Sequence, residues 1–174
     1  MATHLYTWGS DNQAALGHNT LNVGTSSPVA LVRGGPWSSA ALGADFGLAL
    51  STTDGKIYAW GRNDLGQLGD GTVVDKSSPA LVLGTNSYIK IAVGNYHSLA
   101  IKGDGTLWAW GSNNTAQLGI NTTVNKSSPV AVLGGNSYKD ICASWYSSFA
   151  LGLSDGVVWS WGNNGYGVLG NGTV

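Results

Sequence analysis

The sequence predicts an all-β protein of short antiparallel strands, and three observations carry the prediction. All nine acidic residues are aspartate, which favours turns; glutamate, a good helix former, is absent. The 174 residues include 27 glycines, eight tryptophans and seven tyrosines, a balance that suits strands joined by tight turns. The dipeptide Trp-Gly occurs four times, at Trp8, Trp60, Trp110 and Trp161, once every 50 to 52 residues.

Other markers keep the same period. Leu-Gly follows each Trp-Gly, at Leu16, Leu68, Leu118 and Leu169. Ser-Ser-Pro begins at Ser26, Ser77 and Ser127, and Asp-Gly precedes the last three Trp-Gly pairs at Asp54, Asp104 and Asp155. These markers divide the chain into residues 1–25, a leading strand and loop of an incomplete unit, and three repeats at 26–76, 77–126 and 127–174.

Four strands are expected in each repeat. The first follows Ser-Ser-Pro (Val29 to Val32, Ala80 to Leu83, Val130 to Leu133), with proline at its threshold. The second is Ser38 to Leu42, Ile89 to Val93 and Lys139 to Ala143; the third is Phe46 to Ser51, His97 to Lys102 and Ser147 to Leu153. The fourth is Lys56 to Trp60, Thr106 to Trp110 and Val157 to Trp161. Asp-Gly between the third and fourth predicts a hairpin with a type I′ turn. Trp108 and Trp110 lie two apart and share one strand face, as do Trp159 and Trp161.

Four strands per period of about 50 residues describe a propeller blade. One blade cannot cover both its faces, so neighbouring blades must stack. Trp8, Trp60, Trp108, Trp110, Trp159 and Trp161 are the expected structural core of that stack. Gly43 and Gly94 are expected to let strands approach closely, and Ser144 at the third such place to distort its turn.

The phrase from Ser77 to Gly119, "SSPALVLGTNSYIKIAVGNYHSLAIKGDGTLWAWGSNNTAQLG", resembles the regulator-of-chromosome-condensation repeat, and the resemblance covers nearly the whole chain. It implies four-stranded antiparallel blades, about three here where the family closes seven. The expected assembly is an open arc, or a ring completed by another chain: other copies or neighbouring subunits are expected partners. The family's best-known activity, nucleotide exchange on a small GTPase, implies acidic and histidine side chains on one propeller face and an inserted β-wedge. The family phrase Gly-x-x-His-Ser occurs here once, at Gly94 to Ser98, so His97 is the matching histidine; Phe46 and Ser147 stand at its other two places. The copies match in length to within two residues, so no wedge is expected.

Composition excludes several functions. The formal net charge is −1, and the eight basic residues are scattered, so no nucleic-acid partner is expected. No apolar run approaches the roughly 20 residues that span a bilayer, so no membrane insertion is expected. The start of the chain has no signal-peptide pattern. No acid, histidine and cysteine set has metal-ligand spacing, and no nucleophile has a nearby base, so neither a metal, a cofactor nor a catalytic residue is expected. The single cysteine, Cys142, lies in an apolar run and is expected to be buried and inert.

Binding remains. Within the repeated frame, the turns between second and third strands vary: Ala44-Asp45-Phe46, Asn95-Tyr96-His97 and Trp145-Tyr146-Ser147. Asp45, Phe46, Asn95, Tyr96, His97, Trp145, Tyr146 and Ser147 are therefore the candidate binding face, suited to a protein or a glycan surface. The loops after Trp-Gly, Arg62 to Gly71 and Ser112 to Asn121, form a second candidate face. The charge-poor, Asn-, Thr- and Gly-rich style favours a non-enzymatic assembly module, a virion structural or decoration subunit. The alternatives are a regulatory binding propeller, either a GTPase exchange factor or a protein inhibitor, and a carbohydrate-binding appendage. The expected location is a virion or the exterior after assembly, with the cytoplasm as the alternative.

Overall fold

Trp108 and Trp110, two residues apart with Ala109 between them, share one strand face and pack it against a neighbouring sheet. The computed structural model describes residues 4–21, 23–31, 35–84 and 87–173. Among the described residues thirteen strands run in chain order: β1 (Tyr6–Gly9), β2 (Thr25–Ala30), β3 (Trp37–Leu42), β4 (Phe46–Ser51), β5 (Ile57–Gly61), β6 (Lys76–Leu81), β7 (Tyr88–Val93), β8 (His97–Lys102), β9 (Leu107–Gly111), β10 (Lys126–Ala131), β11 (Tyr138–Ala143), β12 (Ser147–Gly152) and β13 (Val158–Gly162). They form antiparallel sheets: β1-β2, then β3-β4-β5-β6, β7-β8-β9-β10 and β11-β12-β13. Among the described residues no helix is long and apolar enough to cross a membrane, and no group of three ligating side chains could hold a metal ion.

The second, third and fourth strands lie within a residue of their expected bounds. The Ser-Ser-Pro strand does not. Expected first in its own blade, it stands last in the blade before: β6 pairs with β5 through Tyr58↔Leu81, Ala59↔Ala80 and Gly61↔Lys76. It also starts ahead of its proline. The loop after Trp-Gly folds back on itself, so the chain returns antiparallel to the strand it has just left. Proline is tolerated there because the strand is an outer edge with one side free of ladder bonds. Each sheet consequently straddles two sequence repeats.

The Asp-Gly turns also differ from expectation. Gly55, Gly105 and Gly156 have positive φ, but Asp54, Asp104 and Asp155 do not, so these are not type I′ turns. Each aspartate instead accepts a bond from the backbone two residues on: Lys56 N–H at 3.2 Å, Thr106 N–H at 2.9 Å and Val157 N–H at 3.0 Å. That is the local aspartate bond that makes this residue a turn former.

Sheets stack face to face, with their inner edges converging: β3 and β4 lie against β7, and β7 and β8 against β11. Three apolar layers result. Leu31, Trp37, Ala49 and Trp60 fill the first, behind the two-stranded sheet. Phe46, Leu48, Ile57, Leu68 and Trp110 are among those filling the second. The third holds Leu99, Ile101, Leu107, Leu118 and Tyr138, with half-buried Trp161 packed against it. The fold is an open arc of blades.

Position in that stack decides the fate of each expected core tryptophan. Trp60 and Trp110 are fully buried, and Trp108 packs partly buried against the second layer. Trp159 faces the preceding sheet with Trp161 but is 42% exposed, because among the described residues no outer strand pairs with β13. Trp8 is 59% exposed because no described residues cover the outer face of the two-stranded sheet. Cys142, expected to be buried, is exposed on the far face of the last sheet, beside an open groove of about 240 Å³.

Candidate functional site

The turns between β3 and β4, β7 and β8, and β11 and β12 all emerge at one end of the stack. A backbone ladder ties them together: Ala44 N–H donates to the Asn95 carbonyl at 3.2 Å, and Asn95 N–H to the Trp145 carbonyl at 3.3 Å. The loops after Trp-Gly start at the same end. Arg62 N–H donates to the Asp45 carbonyl, Ser112 N–H to that of Tyr96 and Asn163 N–H to that of Tyr146, at 2.8 to 2.9 Å. The two expected candidate faces are thus one ledge.

The side chains of this ledge sort by strand register. Asp45, Asn95, Tyr96, Trp145 and Tyr146 reach solvent, and Trp145 is 69% exposed. A row of rings runs across it, with Tyr96 and Tyr146 centroids 6.3 Å apart. The Arg62 guanidinium lies 5.2 Å from the Tyr96 ring and 3.7 Å from the Asp45 carboxylate, and it clasps Asp64 at 2.6 and 2.7 Å. Hydrogen bonding to Arg62 holds the Asp64 carboxyl below its usual range, and the same bond raises the guanidinium. Arg62 is half-buried and Asp64 exposed, and solvent screens the pair, so it orders the ledge more than it stabilises the fold. Between the turns is a shallow recess of about 180 Å³ lined by Leu42, Ala44, Val93, Asn95, Ala143 and Trp145, among others.

Phe46, His97 and Ser147 do not belong to this face. They are the first residues of β4, β8 and β12, and all three are buried. His97 Nε2 lies 2.9 Å from Ser148 Oγ on the next sheet, and Ser148 Oγ donates to the Gln117 carbonyl at 2.7 Å. With the hydroxyl proton so committed, Nε2–H is the donor to Ser148. Burial pushes the His97 pKa down to about 4, which keeps it neutral and structural. The exposed histidine that the family resemblance implies is therefore not found at this position.

The glycines before these residues have a local reason. A Cβ at Gly43 would meet the Phe46 ring, and one at Gly94 would meet the His97 ring. In the third turn Ser147 carries no ring, and Ser144 fits. Its turn is not distorted: Ser144 N–H donates to the Ser147 carbonyl at 2.9 Å, as Gly43 does to Phe46 and Gly94 to His97.

Sequence reasoning placed Arg62 and Asp64 on a separate second face and did not single them out as partners of Asp45 and Tyr96. Their signal was variation inside a constant frame, because the places after Gly111 and Gly162 hold Ser112 and Asn163 instead of arginine. It also missed the organiser of the loops. Buried Asn63 and Asn113 accept from Leu68 N–H and Leu118 N–H, at 3.0 and 2.9 Å. Their amide groups donate to carbonyls across the loop, so both asparagines are buried loop anchors.

The model for the "Regulator of chromosome condensation (RCC1) repeat" matches residues 54–101 and 104–151, and a second model of the same description matches 37–67 and 88–117. The E3 ubiquitin-protein ligase HERC2 of Mus musculus is 37% identical over 99 residues, which is 55% of this chain and 2% of the ligase. The X-linked retinitis pigmentosa GTPase regulator homolog of Caenorhabditis elegans is 41% identical over 66 residues, 37% of this chain and 5% of the relative. In three dimensions the chain is similar to Prp20p of Saccharomyces cerevisiae, with a TM-score of 0.79 and 24% identity, over 97% of this chain and 43% of that one. That crystal structure was described together with binding of Prp20p to Gsp1p and histones. The chain thus spans small fractions of its curated relatives and under half of the solved propeller.

Proposed function

Because the chain belongs to the regulator of chromosome condensation (RCC1) repeat family, we propose that it is a regulatory protein-binding segment of a propeller whose partner is a small GTPase. One observation supports this above others: the ledge gathers Asp45, Asp64, Arg62, Tyr96, Tyr146 and Trp145 from three consecutive blades at one end. Exposed aromatic rings beside fixed charges are the composition of a binding hot spot, which supplies apolar area and orientation together. Acidic side chains on a propeller face agree with the exchange-factor likeness, while buried His97 takes no part in contact. The named relatives include a GTPase regulator homolog. The ligase activity of HERC2 is not carried over, since the match touches 2% of that protein.

A GTPase-binding role belongs inside a cell, so the cytoplasmic alternative replaces the virion one, which rested on composition alone. The test uses Gsp1p, the protein named with Prp20p. Calorimetric titration of the full chain with Gsp1p gives saturable binding, and Tyr96→Ala with Trp145→Ala weakens it at least about tenfold, roughly 1.4 kcal/mol. Absence of binding, or binding indifferent to both substitutions, sinks the proposal. A glycan array with the same variants separates the carbohydrate alternative, which leans on the exposed Trp145 ring.

A further inference from the structure

Three turns from three sheets meet on the ledge and leave a space between them. The recess they enclose measures about 180 Å³. Leu42 and Ala44, Val93 and Asn95, and Ser144 and Trp145 line it, one pair from each sheet. That volume is below the roughly 300 Å³ at which small-molecule sites begin, and it suits a single side chain.

Local structure keeps the recess open. The backbone ladder from Ala44 to Asn95 to Trp145 fixes the spacing of the turns. Gly43 and Gly94 are kept bare by the rings of Phe46 and His97, which a Cβ would meet, so neither contributes a side chain to fill the gap.

Polarity is sorted within it. No charged residue lines the recess, and Asp45, next to Ala44, turns its carboxylate to Arg62 at 3.7 Å. Leu42 is 64% exposed and belongs to none of the three apolar layers, so a large aliphatic side chain faces water here beside half-buried Val93 and Ala143. Two polar groups are left for a ligand. The Asn95 backbone is spent on the ladder through both its N–H and its carbonyl. Its side-chain amide makes no hydrogen bond among the described residues, and neither does the Ser144 hydroxyl. Apolar walls with a few convergent polar groups are the composition of a binding pocket.

We infer that this recess is the anchor pocket of the ledge, taking one uncharged aliphatic side chain of a protein partner, leucine- or methionine-sized, while Asn95 and Ser144 bond the main chain that carries it. The inference deepens the GTPase reading and rests on it for the identity of the partner. A protein is the occupant because the recess opens beside the Tyr96 and Tyr146 rings and the Arg62–Asp64 pair. An apolar centre with an aromatic and charged rim is how a hot spot is built. A sugar would set hydroxyls against Leu42 and Val93 with two groups to satisfy them.

Magnetic resonance of the full isotope-labelled chain tests the pocket without the partner. As N-acetylleucinamide is added, the Val93 methyl groups and the Trp145 indole N–H shift saturably, with half-saturation in the millimolar range because one unlinked side chain brings little surface. N-acetylglycinamide, which lacks the side chain, shifts neither. Ala44→Phe and Asn95→Leu each fill the recess and abolish the shifts. Both positions are partly or fully exposed, and melting temperatures matching the unaltered chain confirm folding; if one variant unfolds, the other carries the test. In calorimetric titration with Gsp1p the same variants bind at least about tenfold more weakly. Leucinamide shifts without any Gsp1p binding keep the pocket and remove the GTPase reading. Gsp1p binding that both filled variants retain overturns the pocket and keeps that reading. Shifts that are absent, that spread over the whole chain, or that are larger with N-acetyllysinamide or methyl glucoside also overturn the pocket.

Discussion

The joint between the β3–β6 and β7–β10 sheets and the joint between the β7–β10 and β11–β13 sheets share one frame, filled differently. In the first, Ser98 Oγ and Trp110 Nε1 both donate to the Gln67 carbonyl at 2.9 Å, and the neighbouring place is occupied by Phe46. In the second, Ser148 Oγ and Trp161 Nε1 donate to the Gln117 carbonyl, and the place of Phe46 is taken by His97, bonded to Ser148. A ring of similar size thus serves once as pure packing and once as part of a polar chain. The first joint is also closed on both sides, while the second borders the open end. The difference teaches that repetition within this chain keeps the hydrogen-bond frame and leaves the filling free.

The largest expected effect separates closed from open. Trp110→Ala costs about 3 to 5 kcal/mol, the usual range for emptying a buried aromatic site. Trp161→Ala costs clearly less, because half-buried Trp161 has less burial to lose. Urea unfolding of both variants decides it, and equal costs would break the distinction.

Acid comes next, and it should act on the second joint alone. The folded pKa of His97, about 4, lies below the ordinary 6.5. The unfolded chain therefore binds the proton first, and stability falls as pH drops from 6.5 toward 4. At about 1.4 kcal/mol per unit the loss approaches 3 kcal/mol. His97→Phe copies the first joint, next to a glycine that already accommodates a ring, and flattens this part of the pH profile. Thermal melts at a series of pH values measure it; an unchanged slope in the variant refutes the assignment.

The smallest effect compares the two serines. Ser98→Ala removes one donor from the Gln67 carbonyl, which Trp110 still satisfies, and costs about 1 kcal/mol. Ser148→Ala also strands the His97 N–H in a buried site, which raises the cost to about 1 to 3 kcal/mol. The difference between the two isolates the histidine bond, and a double substitution with His97→Phe should erase it.

Much of this was legible in the sequence, for reasons that differ by element. β3 to β5 and their counterparts were readable because apolar alternation and Asp-Gly turns are local signals. The Ser-Ser-Pro strand was misplaced because pairing partner is a long-range property, and the same residues pair as well with either neighbour on paper. On the ledge, Asp45, Asn95, Tyr96, Trp145 and Tyr146 were found by variation within a fixed frame. Phe46, His97 and Ser147 vary in the same way, yet they sit one step further along, where the strand begins and its side chain turns inward. Cys142 shows the converse error: an apolar run predicts burial only if something covers it.

By itself the sequence determined the all-β class, the period of about 50 residues and the four-strand content of each unit, since composition and alternation act within a few residues. Tertiary structure decided which strand closes which sheet, which tryptophans are seated and which stand free, and that two candidate faces are one. Those outcomes depend on what lies across a joint, where the partner carbonyl or ring comes from a residue about 30 to 50 positions away and burial exists only once both sheets are in place.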